Sequence, residues 1–146
     1  MVKIEKLTKY SPEIAEGVRG LLIELSRSGR DGGEVPKEWF EELIESDAHD
    51  MLLATEDGKL LGMLTVSKLM GPGIRRHAYL EDFVVSTEAR GKGVGSLLWE
   101  ALLVWGKEKN CDRLEFTSGA DRVSAQQFYQ KMGAEIYKTN FFRKEI

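Results

Sequence analysis

Apolar side chains recur along the chain with two different periods, and the changes of period mark strands and helices. Residues 2–7 alternate apolar and polar side chains like a strand, and Ser11-Pro12 then predicts the start of a helix that runs to about residue 28. Further elements predicted in the first half are a helix over 36–46 and strands over 51–55, 60–69 and 74–86. Asp57-Gly58 is typical of a two-residue hairpin turn between two of these strands. The first half therefore predicts two helices followed by three antiparallel strands.

The second half has a strand–helix–strand order. One helical face is predicted from the apolar residues Val94, Leu97, Leu98, Ala101, Leu102 and Trp105. Residues 111–117 then alternate like a strand, which should run parallel to the strand before the helix because a helical crossover returns the chain in the same direction. A last helix ends at Gly133, and two short strands are predicted from there to Lys144. Residues 30–33 have no apolar anchor, which predicts a mobile linker over 28–35.

Length and composition exclude several classes of protein. A chain of 146 residues fits one domain, residues 1–146, with a core that needs no disulfide or structural metal. The net charge is −3 and the basic residues are scattered, so no nucleic-acid partner is expected. Cys111 is the only cysteine, and no apolar run approaches the ~18 residues of a membrane span. Residues 1–10 lack the apolar core of a signal peptide, so a cytoplasmic protein without membrane contact is expected.

The turn between the strand at 74–86 and the helix that follows contains Gly91, Gly93 and Gly95. Glycines let the backbone approach a ligand closely, so that successive N–H groups at a helix N-terminus can converge on phosphate oxygens. The turn therefore predicts a pyrophosphate site. The spacing matches neither the P-loop nor the Rossmann motif, because Ser96 occupies the third glycine position of the latter. A Rossmann-type nucleotide-binding domain is accordingly disfavoured.

Arg90, Gly93 and Gly95 instead match R/Q-x-x-G-x-G/A, the coenzyme A motif of the GNAT N-acetyltransferases, and Val85 lies five residues before the arginine, as that family's fourth strand prefers. The chain resembles this family over residues 79–143, and the predicted order β-α-α-β-β-β-α-β-α-β-β is also that of the family. The resemblance implies an α/β fold with a mixed sheet of six to seven strands flanked by about four helices.

The resemblance also implies acetyl-CoA as the cosubstrate and a set of residues that bind it. Those expected at the pyrophosphate are Arg90, Gly91, Lys92, Gly93, Val94, Gly95 and Ser96. Main-chain groups of Phe83, Val84 and Val85 are expected to bind the pantetheine arm, and one N–H there would polarise the thioester. Arg122 stands where the family has asparagine, so it would reach a coenzyme A phosphate or remain a surface charge. Arg90 and Lys92 have the same alternative of being solvated charges.

Tyr129 lies in residues 125–133, a segment similar to the family element whose tyrosine is the general acid. The thiol formed from the departing thiolate has a pKa of ~8.5, and a tyrosine hydroxyl has a pKa of ~10. The hydroxyl can therefore protonate the thiolate without being ionised beforehand. The alternative is a core aromatic that extends the apolar stripe of Ala125, Phe128 and Met132.

A base must remove the proton of the attacking amine, and Glu81, two residues before the pantetheine segment, is the first candidate. Glu81 and Asp82 lie on opposite faces of a regular strand unless a bulge intervenes, and His77 or water are the other candidate bases. His49 and His77 are separated and define no metal site, so no metal is expected.

The function predicted is direct transfer of acetyl from acetyl-CoA to a primary amine, without a covalent enzyme intermediate because Cys111 lies outside the motif. The Glu81-Asp82 pair favours a small cationic amine, although a protein amine remains open. The alternative function is a catalytically weak sensor that binds acetyl-CoA. Exposed edge strands permit a homodimer, which is common in the family. The acceptor and the acyl-chain preference are left open.

Overall fold

The computed structural model describes residues 1–26 and 33–146. Its strands are β1 (Lys3–Lys6), β2 (His49–Glu56), β3 (Lys59–Gly71), β4 (Arg75–Val85) and β5 (Leu114–Glu115). Its helices are α1 (Pro12–Leu25), α2 (Lys37–Glu45), the 3-10 helix Thr87–Ala89, α3 (Val94–Glu108) and α4 (Val123–Lys131). The linker predicted over 28–35 falls mostly on residues 27–32, which lie outside the described residues.

Two local predictions at element boundaries are confirmed. The Ser11 hydroxyl accepts a hydrogen bond from the backbone N–H of Ile14 at 3.1 Å, and Pro12 occupies the first turn of α1. In the β2–β3 hairpin, Asp57 and Gly58 have φ values of 50° and 76°, the left-handed pair that a two-residue type I′ turn requires. Both boundaries follow from short-range chemistry that the sequence displays.

The sheet has the strand order β1-β2-β3-β4-β5. Its first four strands are antiparallel neighbours, and β5 pairs with β4 in parallel, as the helical crossover through α3 predicts. The mixed α/β class is therefore confirmed.

The predicted count of six to seven strands is wrong for the described chain, which has five. Residues 134–146 contain no strand, and Ile136, Tyr137 and Phe142 in this segment are 72%, 86% and 86% exposed. The strand predicted over 111–117 shrinks to β5, because only Leu114 and Glu115 find ladder partners on β4. Alternating apolar side chains favour an extended segment, but a strand also needs a neighbour to accept its hydrogen bonds.

The described chain forms two compact units, Met1–Phe116 and Thr117–Ile146. One domain over residues 1–146 stays a prediction. In the first unit, α1 and α2 cover one face of the sheet through a buried cluster of Leu7, Val18, Leu21, Phe40, Leu43, Met51, Leu53, Met63 and Val84.

Helix α3 packs against β1 to β4 of the first unit. The indole N–H of the buried Trp105 on α3 donates to Oδ2 of the buried Asp50 on β2 at 2.7 Å, and Lys6 Nζ lies 3.7 Å from Oδ1. This charge-assisted bond satisfies a buried carboxylate and fixes the position of α3 on the sheet. Among the described helices, none is both long enough and apolar enough to cross a membrane.

Candidate active site

A β-bulge interrupts the pairing of β4 with β3. Met63 pairs with Val84 but Thr65 pairs with Glu81, so two residues of β4 stand opposite one residue of β3. Asp82, inside the bulge, has a φ of 51°. Met63 and Val84 belong to the cluster under α1 and α2, and side chains two apart on a regular strand share a face. Thr65 and its partner Glu81 therefore lie on the sheet face that α1 and α2 cover.

Strand β4 extends beyond the last residue that pairs with its parallel neighbour, β5. The ladder between β4 and β5 ends at the pair Tyr79 and Glu115, whereas β4 runs on to Val85. Phe83, Val84 and Val85 thus lie where the two strands are no longer paired with each other. At the end of this segment, Arg90 Nε donates to the Val85 carbonyl oxygen at 3.3 Å. A strand that continues beyond the end of a ladder is a place where an extended ligand can add hydrogen bonds.

The glycine turn leads directly into α3. Gly91 and Gly93 have φ values of 77° and 80°, a region that favours glycine, and Gly93 is the N-cap of α3. The first N–H groups of α3, at Val94, Gly95 and Ser96, have no partner inside the helix, as at every helix start. Within the described ranges, no side chain caps this helix end.

Open space surrounds the two left-handed glycines of the turn. A Cβ built on Gly91 or Gly93 would meet no atom within 4 Å among the described residues. Arg90 and Lys92 are exposed beside them, while the buried Val94 anchors the first turn of α3 in the core. The turn therefore combines backbone donors, the positive end of a helix and two exposed cations, which are the features that suit an anion.

The two carboxylates of the bulge have different surroundings. Glu81 is exposed at the surface of the strand. Asp82 is exposed as a residue, but protein atoms around its carboxyl desolvate it and raise its pKa above the usual aspartate range. The bulge therefore leaves the Glu81 carboxylate in water, whereas protein atoms partly desolvate the Asp82 carboxylate.

Tyr129 and Arg122 belong to the second unit, where Arg122 is the N-cap of α4 and Tyr129 lies in its last turns. The Tyr129 ring makes an edge contact with Phe128, with 5.7 Å between centroids and 69° between planes. Burial raises the pKa of the Tyr129 hydroxyl, and the charge of Arg122 opposes part of that rise. The hydroxyl therefore remains protonated throughout the neutral range.

The sequence matches the acetyltransferase (GNAT) family over residues 20–134. The chain belongs to this family. The predicted family and α/β fold are confirmed, and the protein is an acyltransferase of the GNAT type. The proposed site residues stay predictions.

Relatives of this GNAT acetyltransferase include glucosamine 6-phosphate N-acetyltransferase 1 of Oryza sativa subsp. japonica, 29% identical over 126 residues that cover 83% of this chain and 74% of the relative. An uncharacterized N-acetyltransferase of Bacillus subtilis (strain 168), YhdJ, is 31% identical over 71 residues, which cover 48% of this chain and 49% of the relative. Both are similar proteins rather than equivalents.

Solved structures share the fold of the GNAT chain. An aminoglycoside acetyltransferase from an uncultured soil metagenomic sample, meta-AAC0020 in complex with trehalose, has a TM-score of 0.84 at 21% identity and covers 99% of this chain and 97% of its own. The structure of AAC(6')-Iy in complex with the bisubstrate analog CoA-S-monomethyl-acetylneamine has a TM-score of 0.78 at 24% identity, covering 100% and 99%. At these identities the likeness concerns the fold.

Two further side chains of the acetyltransferase bear on its chemistry. Burial raises the pKa of the Cys111 thiol, which disfavours a reactive thiolate. His77 lies on the same face of β4 as Glu81 by strand alternation, and its Nδ1 is buried without a hydrogen-bond partner among the described residues. No group of three His, Cys, Asp or Glu side chains suited to a metal ion occurs in the ranges that the structure describes.

Sequence reasoning missed Glu24, at the end of α1. Its carboxylate accepts hydrogen bonds from the backbone N–H of Thr87 at 2.9 Å and from the Ser86 hydroxyl at 3.5 Å. Both partners lie between β4 and the glycine turn of the acetyltransferase. No local pattern distinguishes Glu24 from the other glutamates of α1, because the contact joins residues more than 60 positions apart.

Proposed function

We propose that this acetyltransferase uses acetyl-CoA and transfers the acetyl group directly to a primary amine of a small cationic acceptor. The observation that carries the proposal is the glycine turn at the start of α3, where Gly91 and Gly93 are left-handed and no described side chain caps the helix. In a member of the GNAT family, a surface of this kind suits the pyrophosphate of coenzyme A.

Different segments of the chain are proposed to bind different parts of the cofactor. Backbone N–H groups of 91–96 bind the pyrophosphate, with Arg90 and Lys92 supplying charge. Main-chain groups of Phe83, Val84 and Val85 bind the pantetheine arm as an added strand, which the end of the β4–β5 ladder at Tyr79 leaves room for. Arg122 supplies a further contact to a coenzyme A phosphate. AAC(6')-Iy, which shares the fold, is described with a CoA-based bisubstrate analog, and this supports the proposed ligand.

In the proposed chemistry, the acceptor nitrogen attacks the thioester carbonyl carbon, a C–N bond forms and the C–S bond breaks. A backbone N–H within 83–85 stabilises the oxyanion. The acceptor ammonium loses one proton before the attack and a second as the C–N bond forms, and Glu81 accepts them in turn through water and passes them to solvent. Tyr129 donates a proton to the departing thiolate and regains one from solvent, so the balance is one proton on the thiol and one released. The raised pKa of the Tyr129 hydroxyl supports the acid role, because the group is protonated when it is needed.

Direct transfer is preferred to a covalent enzyme intermediate. The only cysteine, Cys111, lies at the start of the segment leading into β5, and burial raises its pKa, so the thiol form predominates at neutral pH. A ping-pong route through this residue would need the thiolate. Cytoplasmic location, independence from metal ions and a homodimer stay predictions from the sequence.

The proposed acceptor class rests on the charge of the bulge and on the relatives. Glu81 and Asp82 offer two adjacent carboxylates at the bulge of β4, which favours an acceptor that arrives as a cation. The rice relative is a glucosamine 6-phosphate N-acetyltransferase, and meta-AAC0020 is an aminoglycoside acetyltransferase. Amino sugars are therefore the first acceptors to assay, with a lysine peptide as the protein-amine comparison.

The proposal is tested by the thermal midpoint with and without acetyl-CoA, in parallel with NAD and ATP at equal concentration. A ligand at 100 times its dissociation constant stabilises the fold by ~2.7 kcal/mol, so acetyl-CoA alone should raise the midpoint by several degrees. Thiol release with amino-sugar acceptors should follow. A shift with NAD or ATP instead would contradict the cofactor, and a shift without thiol release for any amine would favour the sensor function.

The base is tested by the pH dependence of kcat/KM in Glu81→Gln. A carboxylate accepts protons only when ionised, so activity should fall as the pH drops through the pKa of the base. We expect Glu81→Gln to lose this acidic limb and about tenfold in rate at neutral pH, while Asp82→Asn retains the limb.

The opposite result would assign the base to Asp82, whose limb should lie above the ordinary aspartate pKa of about 3.9 because burial raises it. If both variants retain the acidic limb, the base would be His77 or water. A raised carboxyl pKa in the folded state stabilises the fold only at low pH and no longer does so once the pH exceeds that pKa. Asp82→Asn should therefore leave the thermal midpoint unchanged or higher at neutral pH, which separates loss of rate from loss of folding.

A further inference from the structure

The end of α1 is an unfavourable place for a carboxylate. Glu24 lies in the last turn of α1, where the helix dipole is negative, and the residues of that turn include no basic side chain. A carboxylate there weakens the helix unless another part of the fold supplies donors. The two donors that Glu24 receives, Thr87 N–H at 2.9 Å and the Ser86 hydroxyl at 3.5 Å, both come from the start of the 3-10 helix Thr87–Ala89.

This 3-10 helix lacks a side-chain cap of its own. Ser86 is its N-cap residue, and its hydroxyl makes no cap bond within the helix. Glu24 instead accepts a hydrogen bond from the first N–H of the 3-10 helix. A carboxylate that belongs to α1 therefore caps the 3-10 helix. Ser86 is also fixed from the sheet side, because it is buried and its N–H donates to the Leu61 carbonyl oxygen at 2.8 Å.

The capped helix determines where the glycine turn leaves the sheet. Thr87–Ala89 is followed directly by Arg90 and Gly91, and Lys92 N–H donates back to the Ala89 carbonyl oxygen at 3.3 Å. A turn with left-handed glycines at 91 and 93 has many conformations available, so binding a ligand to it costs less when its start is already held. The exposed ion pair between Lys59 and Glu88 also contacts this helix, but exposed pairs contribute little.

We propose that Glu24 is a positioning residue for cofactor binding: it holds the start of the pyrophosphate turn in its binding conformation from the end of α1. The inference rests on the proposed function, since it concerns the same acetyl-CoA site. Glu24 acts through Ser86 and Thr87 and needs no contact with the reacting atoms or the phosphates.

The test is the dissociation constant of acetyl-CoA, with KM and kcat, for Glu24→Ala and Glu24→Gln. We expect Glu24→Ala to raise the dissociation constant and the KM for acetyl-CoA about tenfold, with kcat at saturating cofactor within about twofold. Glu24→Gln should recover most of the affinity, because its amide oxygen still accepts the Thr87 N–H. The control is Glu16→Gln on the same helix, where the side chain is 72% exposed and pairs with Arg19.

Each other outcome has a distinct meaning. Unchanged affinity in Glu24→Ala with a lower thermal midpoint would reduce Glu24 to a structural role and overturn the inference. Tighter binding in both variants would also overturn it, because the carboxylate would then act by repelling the phosphates. Failure of the unsubstituted protein to bind acetyl-CoA would instead overturn the proposed function itself.

Discussion

Tyr129→Phe is expected to lower kcat about 10²–10³-fold while the dissociation constant of acetyl-CoA stays within about twofold. The substitution removes the proton that the departing thiolate takes up and keeps the ring that packs against Phe128. An acid works only while protonated, so the rate of the unsubstituted enzyme should fall as the pH rises through the pKa of Tyr129. Burial raises that pKa, and the alkaline limb should therefore lie above the ordinary tyrosine value of about 10 and be absent in Tyr129→Phe.

The measurement is steady-state thiol release across pH, with binding of acetyl-CoA measured separately. Tyr137→Phe is the matched control, because it removes the same hydroxyl from a tyrosine that is 86% exposed in the same unit. That variant should retain full activity. Full activity in Tyr129→Phe would show that Tyr129 only extends the apolar stripe of α4, and the acid would have to be sought elsewhere.

The second large effect is expected for Gly93→Ala, which should weaken acetyl-CoA binding roughly 10–100-fold. A Cβ at this position meets no described atom within 4 Å, so the added methyl does not clash with the protein. It occupies the open surface next to the first N–H groups of α3, where a phosphate oxygen must approach closely. The φ of 80° also strains any residue with a side chain, by about 1–2 kcal/mol.

Gly58→Ala in the β2–β3 hairpin is the control that separates the effect of backbone strain from the loss of acetyl-CoA binding. Gly58 has a φ of 76° and an equally open surrounding, so both substitutions impose the same kind of backbone strain. Both variants should show similarly lowered thermal midpoints, by roughly 4 °C per kcal/mol, measured without ligand. Only Gly93→Ala should lose affinity for acetyl-CoA in a calorimetric titration. Equal affinities in the two variants would contradict the assignment of the pyrophosphate to this turn.

Features that depend on neighbouring residues in the chain were predictable from the sequence. The hairpin at Asp57-Gly58, the cap at Ser11 and the helix that follows Gly93 each follow from the conformational range or the hydrogen-bonding capacity of one or two residues. The parallel placement of β5 follows from the handedness and direction of a helical crossover. The family resemblance came from the spacing of Arg90, Gly93 and Gly95, and the family match confirms it.

Strand pairing near the chain end was not predictable in the same way. Residues 134–146 have the aromatic and apolar composition of strands, yet they contain none in the described chain, and β5 is shorter than the alternating segment that predicted it. A strand is stable only when a second strand offers the complementary backbone groups in register. Whether a partner strand is available depends on residues that are distant in the sequence, so the alternation within one segment does not predict it.

The sequence by itself determined the family, the mixed α/β class and the place of the glycine turn, because these depend on the spacing of residues along the chain. Tertiary structure alone decided two further features next to the candidate site residues. The bulge that gives Asp82 its left-handed conformation arises from a register shift between β3 and β4, and the carboxylate that caps the helix before the glycine turn comes from Glu24 on α1. Both depend on which groups of separate segments meet in the fold, and the spacing of residues along the chain does not display that.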